Sequence, residues 1–388
     1  MSASANTHYI GSNNRIDFYE TAHGVIPYGN ANTATDNWTG FSLNLNRSVK
    51  AGKTFTNEIV STYAFVYTGG YYYGGVLAPN GDIHYAYGQG NRGQKISADG
   101  VVSTYSLVYT IAADNGYAAY AGGVLAPNGD IHFVPHNAPV GQKVSASGIV
   151  STYSLVISDG TTGFTTGMHV GGVVAPNGEI HFVPWSASRG QKISTDGTVS
   201  TYSLVYTGSL LYAGGVIAPN GDIHFVPYFA NRGQKIAANN YVSTYSLVYT
   251  TSDAYFGGVV APNGDIHFVP YAANRGQKIS ADGTVSTYSL VYTNVSGAYW
   301  GGVVAPNGDI HFVPSSANRG QKISTDGVVS TYSLAFTSAT GASLGGFLTP
   351  NGDIHFVAYL GERNQILHTN SARPLDFGTC ASPYLNKF

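Results

Sequence analysis

The phrase GGVVAPNGDIHFVP stands unchanged at 257–270 and 301–314, and close variants begin near Gly74, Gly122, Gly171, Gly214 and Gly345. No other feature restricts the fold as much, because self-similarity at a fixed period marks a repeat architecture. The turn PNG falls at Pro79, Pro127, Pro176, Pro219, Pro262, Pro306 and Pro350, so successive units lie 43 to 49 residues apart. That is the length of one four-stranded propeller blade. The fifth copy divides into four short β-type runs: GGVVA (257–261), DIHFVP (265–270), RGQKIS (275–280) and TVSTYSLVYT (284–293). These are the first, second, third and fourth strands of a unit.

The punctuation between the runs is specific. In A-P-N-G-D, Pro and Asn suit the centre of a type I turn, and Gly suits the left-handed position of a bulge. ADG or TDG joins the third strand to the fourth in most copies, whereas the fourth copy has AANN (237–240), where Asn tolerates positive φ. The fourth strand alternates, with Tyr105, Leu107 and Tyr109 on one face and Thr104, Ser106 and Val108 on the other. No helical periodicity appears between residues 58 and 370.

Counting strands predicts how the chain closes. STY opens a fourth strand at Ser61, Ser103, Ser151, Ser200, Ser243, Ser286 and Ser330. The earliest of these (58–68) precedes every first strand, and the last third strand, ERNQILHTN (362–370), has no fourth strand after it. The expected fold is therefore all-β: a seven-bladed β-propeller with four antiparallel strands per blade, its ring closed by the N-terminal strand completing the last blade. Such closure covers an edge that would otherwise invite aggregation.

The unit GGVVAPNGDIHFVPYAANRGQKISADGTVSTYS resembles the repeat of NHL-type propellers, with its small-residue strand, P-(D/N)-G turn, NR and D-G turn. It is also similar to Kelch-like repeats through the Gly-Gly doublet, although there the doublet ends a strand rather than beginning one. The resemblance covers roughly residues 58–370. It implies that the first strand is innermost. It also implies that the loops before the first and third strands lie on one face, the top, and the turns on the other, the bottom. A fold of this kind does not specify a function.

The bottom turns are nearly identical between copies, and the top loops are not. Repeat scaffolds commonly vary on the face that binds. Two residues before each doublet start stand Tyr72, Tyr120, His169, Tyr212, Tyr255, Tyr299 and Ser343, expected near the top mouth of the channel with Tyr73, Phe256, Trp300, Trp185, Tyr228 and Tyr271 beside them. Flat rings with polar edges suit a sugar or protein ligand, and they equally suit packing between blades. A second ring, His84, His132, His181, His224, His267, His311 and His355, invites a metal reading. Sheets about 10 Å apart cannot bring such residues to the roughly 2 Å that zinc requires, so a buried structural role is expected and no metal or cofactor. A third set is charged: Arg92, Arg189, Arg232, Arg275, Arg319 and Arg363 at the top, and Asp82, Asp130, Glu179, Asp222, Asp265, Asp309 and Asp353 at the bottom. The disc is expected to be basic above and acidic below.

Charged residues are only 10% of the 388, and Tyr (30) and Gly (50) are abundant. With 43% hydrophobic residues and a net charge of −2, neither disorder, nucleic-acid binding nor membrane insertion is expected. A lone cysteine, Cys380, excludes an internal disulfide framework. Glycosidases place two carboxylates about 5–9.5 Å apart, whereas the acids on top loops, Asp114, Asp159 and Asp253, are isolated. ISADGTVSTY is one residue short of the Asp-box of sialidase propellers. On these grounds the chain is expected not to be an enzyme.

Residues 1–57 form a polar, non-repeating arm before the propeller (58–370), and 371–388 form a similar tail. The N-terminus has neither the basic nor the apolar region of a secretion signal, yet the composition suits an exposed surface. The profile is similar to that of tailed-phage virion proteins, which leave the host by lysis. It implies a virion-surface protein, decorating a capsid or forming part of a tail or fibre. Other virion proteins would hold the arm, and a host-surface glycan or protein would meet the top face. An extracellular lectin-like binder and a cytoplasmic interaction scaffold are the alternatives.

Overall fold

The computed structural model describes residues 18–21, 24–27, 59–64, 66–67, 71–111, 118–156, 167–293, 295–338, 341–349, 352–359 and 363–369. Within the arm it describes one hairpin, Phe18–Thr21 paired antiparallel with Gly24–Pro27. The rest of the arm, the tail, Asp114, Asp159 and Cys380 lie outside the described residues.

Residues from Ile59 onward build seven antiparallel sheets. Blade 5 is typical: Tyr255–Val260, Ile266–Pro270, Arg275–Ile279 and Val285–Ser289, paired in that order. Each turn forms as its residues dictate. In the bottom turn Gly264 has φ 88° and its N–H bonds the Ala261 carbonyl at 2.9 Å, while the Asp265 N–H bonds the Asn263 side chain at 3.0 Å. Asn240 takes φ 67° in the fourth copy, where other copies use glycine.

Blade 1 differs. Its second and third strands run together as Ile83–Ile96, and pairing with the first strand extends to Tyr71↔Gln89. Tyr87 stands there where Pro135, Pro184, Pro227, Pro270 and Pro314 end the strand in other blades. Tyrosine keeps the backbone N–H that proline lacks, so the ladder can continue.

The ring closes as the strand count requires. Ile59–Ala64 pairs antiparallel with Arg363–His368, from His368↔Ile59 to Arg363↔Ala64. The innermost strands neighbour one another around the axis, and Ser343–Leu348 returns to Tyr71–Leu77. There a Cβ added to Gly345 would lie 2.7 Å from the Gly74 Cα. The second glycine of each doublet makes room for the adjacent blade, since a Cβ on Gly258 would lie 2.5 Å from a Val216 methyl.

The core lies between sheets. Tyr255, Phe268, Ile266 and Ile279 of blade 5 pack with Val216 and Val226 of blade 4, and with Tyr245, Leu247 and Tyr249 of its outer strand. Third-strand glutamines staple the blades together: Gln277 Oε1 accepts the N–H groups of Val248 and Tyr249 at 3.0 and 2.8 Å. Gln94 does the same for Val66 and Tyr67 across the closing seam, at 3.1 and 2.9 Å.

The histidine ring is built into this framework. His267 Nδ1 meets the Tyr288 hydroxyl at 3.2 Å, and the tyrosine ring crosses the third strand over Gly276 to reach it. A Cβ on Gly276 would lie 2.1 Å from that ring, which explains the copied glycine of RGQK. Burial lowers the pKa of His84, His132, His181, His224, His267 and His355 to about 4. They are neutral packing groups at pH 7.

The charge expectation needs correction. The bottom acids are ion-paired with the lysine of the third strand: Asp130–Lys143, Glu179–Lys192, Asp222–Lys235 and Asp265–Lys278, each at 2.7 Å. Neighbouring strands in register bring the two sequence-distant residues together, so the bottom is charge-balanced at this ring rather than acidic. Blade 7 lacks that lysine, and Asp353 instead meets His368 at 3.1 Å.

Candidate functional site

The mouth of the channel is shaped by a bulge. Tyr255 pairs with Pro270 and Gly258 with Phe268, so Phe256 and Gly257 oppose the single residue Val269. The extra residue re-aims the side chains around it. Tyr255 turns into the interblade core and Phe256 lines the mouth.

This corrects the placement expected for the first aromatic ring. Tyr72, Tyr120, His169, Tyr212, Tyr255, Tyr299 and Ser343 are buried, none more than 3% exposed. Their roles are internal. Tyr120, Tyr212, Tyr255 and Tyr299 donate hydroxyl hydrogen bonds to the carbonyls of Val140, Arg232, Arg275 and Arg319 at 2.9–3.1 Å, and pack at a tilt against the phenylalanine of the second strand.

The residues one position later form the lining: Tyr73, Ala121, Val170, Phe256, Trp300 and Leu344. They are joined by residues that follow the second strand, His136, Trp185 and Tyr228, around a cavity of about 240 Å³. Its floor is bare backbone at the first glycine of each doublet. Gly171 takes φ 78°, which strains any other residue, and a Cβ there would crowd the Gly214 Cα at 3.2 Å.

The aromatic side chains form a crescent across blades 3 to 6. Trp185 stacks on Tyr228 at 4.8 Å and Phe256 meets Trp300 at 4.0 Å. Tyr271 closes the outer side, 5.4 Å from Trp300 and 5.5 Å from Tyr228, without being among the lining residues. At the seam, Tyr73 packs edge-on to Tyr359 at 5.2 Å with their hydroxyls 3.1 Å apart.

Few polar groups enter this surface. Burial pushes the Tyr228 and Tyr271 hydroxyls up, and the nearby Asp253 carboxylate pushes both further in the same direction. His136 Nδ1 donates to the His169 carbonyl at 2.9 Å, because a carbonyl can only accept. Its Nε2 therefore carries the lone pair. Burial lowers the His136 pKa, so the ring is neutral at pH 7. The arginines stand one strand further out, and Arg189 Nε bonds the Thr201 hydroxyl at 3.2 Å. Among the described residues, no three His, Cys, Asp or Glu side chains converge as a metal site would require.

Sequence reasoning reached Trp185, Tyr228 and Trp300 and missed His136 and Tyr359. Both stand at the position of Tyr271 in their own copies, directly after the second strand. Aligning the copies at that position would have found them.

No protein-family model matches this sequence, and no curated protein is similar to it. Solved structures share the fold. Virginiamycin B lyase from Staphylococcus aureus is 18% identical, with 80% of this chain and 99% of that one covered and a TM-score of 0.67. A streptogramin B lyase is 22% identical, with 82% and 99% covered and a TM-score of 0.69. The WD40 β-propeller domain of Doa1 is 14% identical, with 82% and 99% covered and a TM-score of 0.60.

The expectation that the chain is not an enzyme is thereby overturned. Two of these structures are lyases that share the propeller over nearly their whole length, so the lack of a carboxylate pair or an Asp-box is no ground for excluding catalysis. At such identities the likeness concerns the fold alone, and the proteins named lend the virion reading no support.

Proposed function

We propose that the chain binds a small molecule with a flat apolar face in the top mouth of its channel. One observation carries this reading: the side chains that line the cavity come from positions at which the seven copies differ, while the glycine floor and the adjacent buried positions largely repeat. Rings such as Trp185, Tyr228, Phe256 and Trp300 gain most when a flat apolar surface displaces water from them. No carboxylate or amide side chain is among the lining residues, which favours an apolar ligand over a glycan. Two of the three tryptophans line the cavity, so tryptophan emission should report occupancy. Titration with a neutral apolar dye should shift that emission. Trp300→Ala should weaken binding about tenfold or more, whereas Tyr255→Phe, which removes only a buried hydroxyl, should leave it unchanged. Equal binding by both variants would overturn the reading.

His136 favours a second reading, in which the ligand is a substrate. An unprotonated ring nitrogen beside an apolar cavity is suited to accept a proton from a bound molecule. Conversion would then vanish in His136→Ala while dye binding persisted. The virion-surface location is a separate proposal, tested by mass spectrometry of purified particles.

A further inference from the structure

Resting on the reading that the top cavity is the ligand site, we propose that the group it recognises is a small organic cation, an alkylated ammonium. The argument is one of charge. Aromatic faces carry negative potential, and a cation over them within about 6 Å is attracted. Tyr73, Trp185, Tyr228, Phe256 and Trp300 line the mouth, four of them in the crescent across blades 3 to 6 and Tyr73 at the seam.

The other polar features point the same way. The His136 tautomer leaves a lone pair at Nε2, and that nitrogen makes no hydrogen bond among the described residues. The Asp253 carboxylate lies beside the Tyr228 hydroxyl. No lysine or arginine is among the lining residues. Beside the indole and phenol donors of these rings, the lining thus carries no positively charged side chain. A neutral ligand gains from these rings only by displacing water, whereas a cation gains in addition from their faces and from the His136 lone pair. The exposed arginines at the heads of the third strands oppose a cation only weakly, since salt screens exposed charges over about 8 Å. The cavity, about 240 Å³, holds a trimethylammonium head with a short arm attached.

The test uses two molecules of one shape, choline and its uncharged isostere 3,3-dimethylbutan-1-ol, titrated calorimetrically into the whole protein. Choline should bind about tenfold more tightly, equivalent to about 1.4 kcal/mol, within the span expected of desolvated cation–π contacts. Asp253 has φ 57°, and asparagine adopts that left-handed conformation as readily as aspartate. Asp253→Asn should therefore leave the melting temperature in place, reduce the choline preference about threefold, and leave the alcohol unaffected. Equal affinity for the two molecules, or a preference for the alcohol, would overturn the cation proposal and leave the apolar-site reading standing. Binding of neither would overturn the cation proposal, and the dye titration alone would then decide the apolar-site reading.

Discussion

The two faces of the disc are made by the same strands and end in opposite states. On the bottom face, polar groups close on one another within a blade: Asp265 Oδ2 takes the Lys278 ammonium at 2.7 Å, and Oδ1 takes the Ala281 N–H at 3.2 Å. The same pattern recurs with Ala146 and Ala238 in blades 2 and 4. At the top mouth, by contrast, rings from different blades meet and His136 Nε2 is left without a hydrogen-bond partner among the described residues. Copying has preserved the face that satisfies itself, and divergence has accumulated where satisfaction must come from something else. The difference separates residues that hold the ring from residues that the ring holds.

The most damaging way to break this comparison is to open the seam. Removing residues 58–68 deprives Arg363–His368 of its partner strand and Gln94 of two backbone donors. Both faces should be lost together, seen as aggregation or an unfolded circular-dichroism spectrum. A stable monomeric product would disprove the closure.

Acid should come next. The second-strand histidines have folded pKa values near 4, below the unfolded value of about 6.5. Between these limits the unfolded chain takes up protons that the folded chain refuses, so stability falls as pH drops from 6.5 toward 4 and this loss is complete below 4. Each histidine contributes roughly 1.4 kcal/mol per pH unit in that window. Six together lose roughly 8 kcal/mol per pH unit, so little more than one unit consumes the roughly 5–15 kcal/mol that holds a typical domain. Unfolding near pH 5 is expected, followed by near-ultraviolet circular dichroism. A melting temperature constant from pH 7 to 4.5 would contradict the buried neutral state.

The smallest effect belongs to a single bottom ion pair. Burial pushes the Asp265 carboxyl up, but the Lys278 ammonium and the Ala281 N–H bring it below its usual range. Asp265→Asn keeps an acceptor for Ala281 and loses the charge, at a cost of about 1 kcal/mol with Lys278 partly in solvent. The melting temperature should fall by about 2 °C, and ligand binding at the top should not change. A change in binding would show that the two faces are coupled.

Particular residues show where sequence reasoning held and where it stopped. Period, turn chemistry and the unmatched strands at both ends were legible, because glycine, proline and asparagine state local backbone geometry directly. Gly264 and Asn240 take the positive φ that their turns demanded. The mouth was legible only in part. Trp300 was found, but Tyr299 beside it was placed with it and is fully buried. Alternation along a strand assumes unbroken pairing, and the register shift between Tyr299 and Gly301 breaks it.

The chain thus announces its own architecture, since seven repeats of strand and turn leave few ways to bury a sheet's two faces and a ring is one of them. It does not announce where its side chains point at the axis. Lys278 becomes the partner of Asp265 only through the register of neighbouring strands, and Phe256 comes to line the mouth only because a bulge turns it there. Local sequence specifies torsions, whereas an open or a filled surface depends on which neighbour the finished ring supplies.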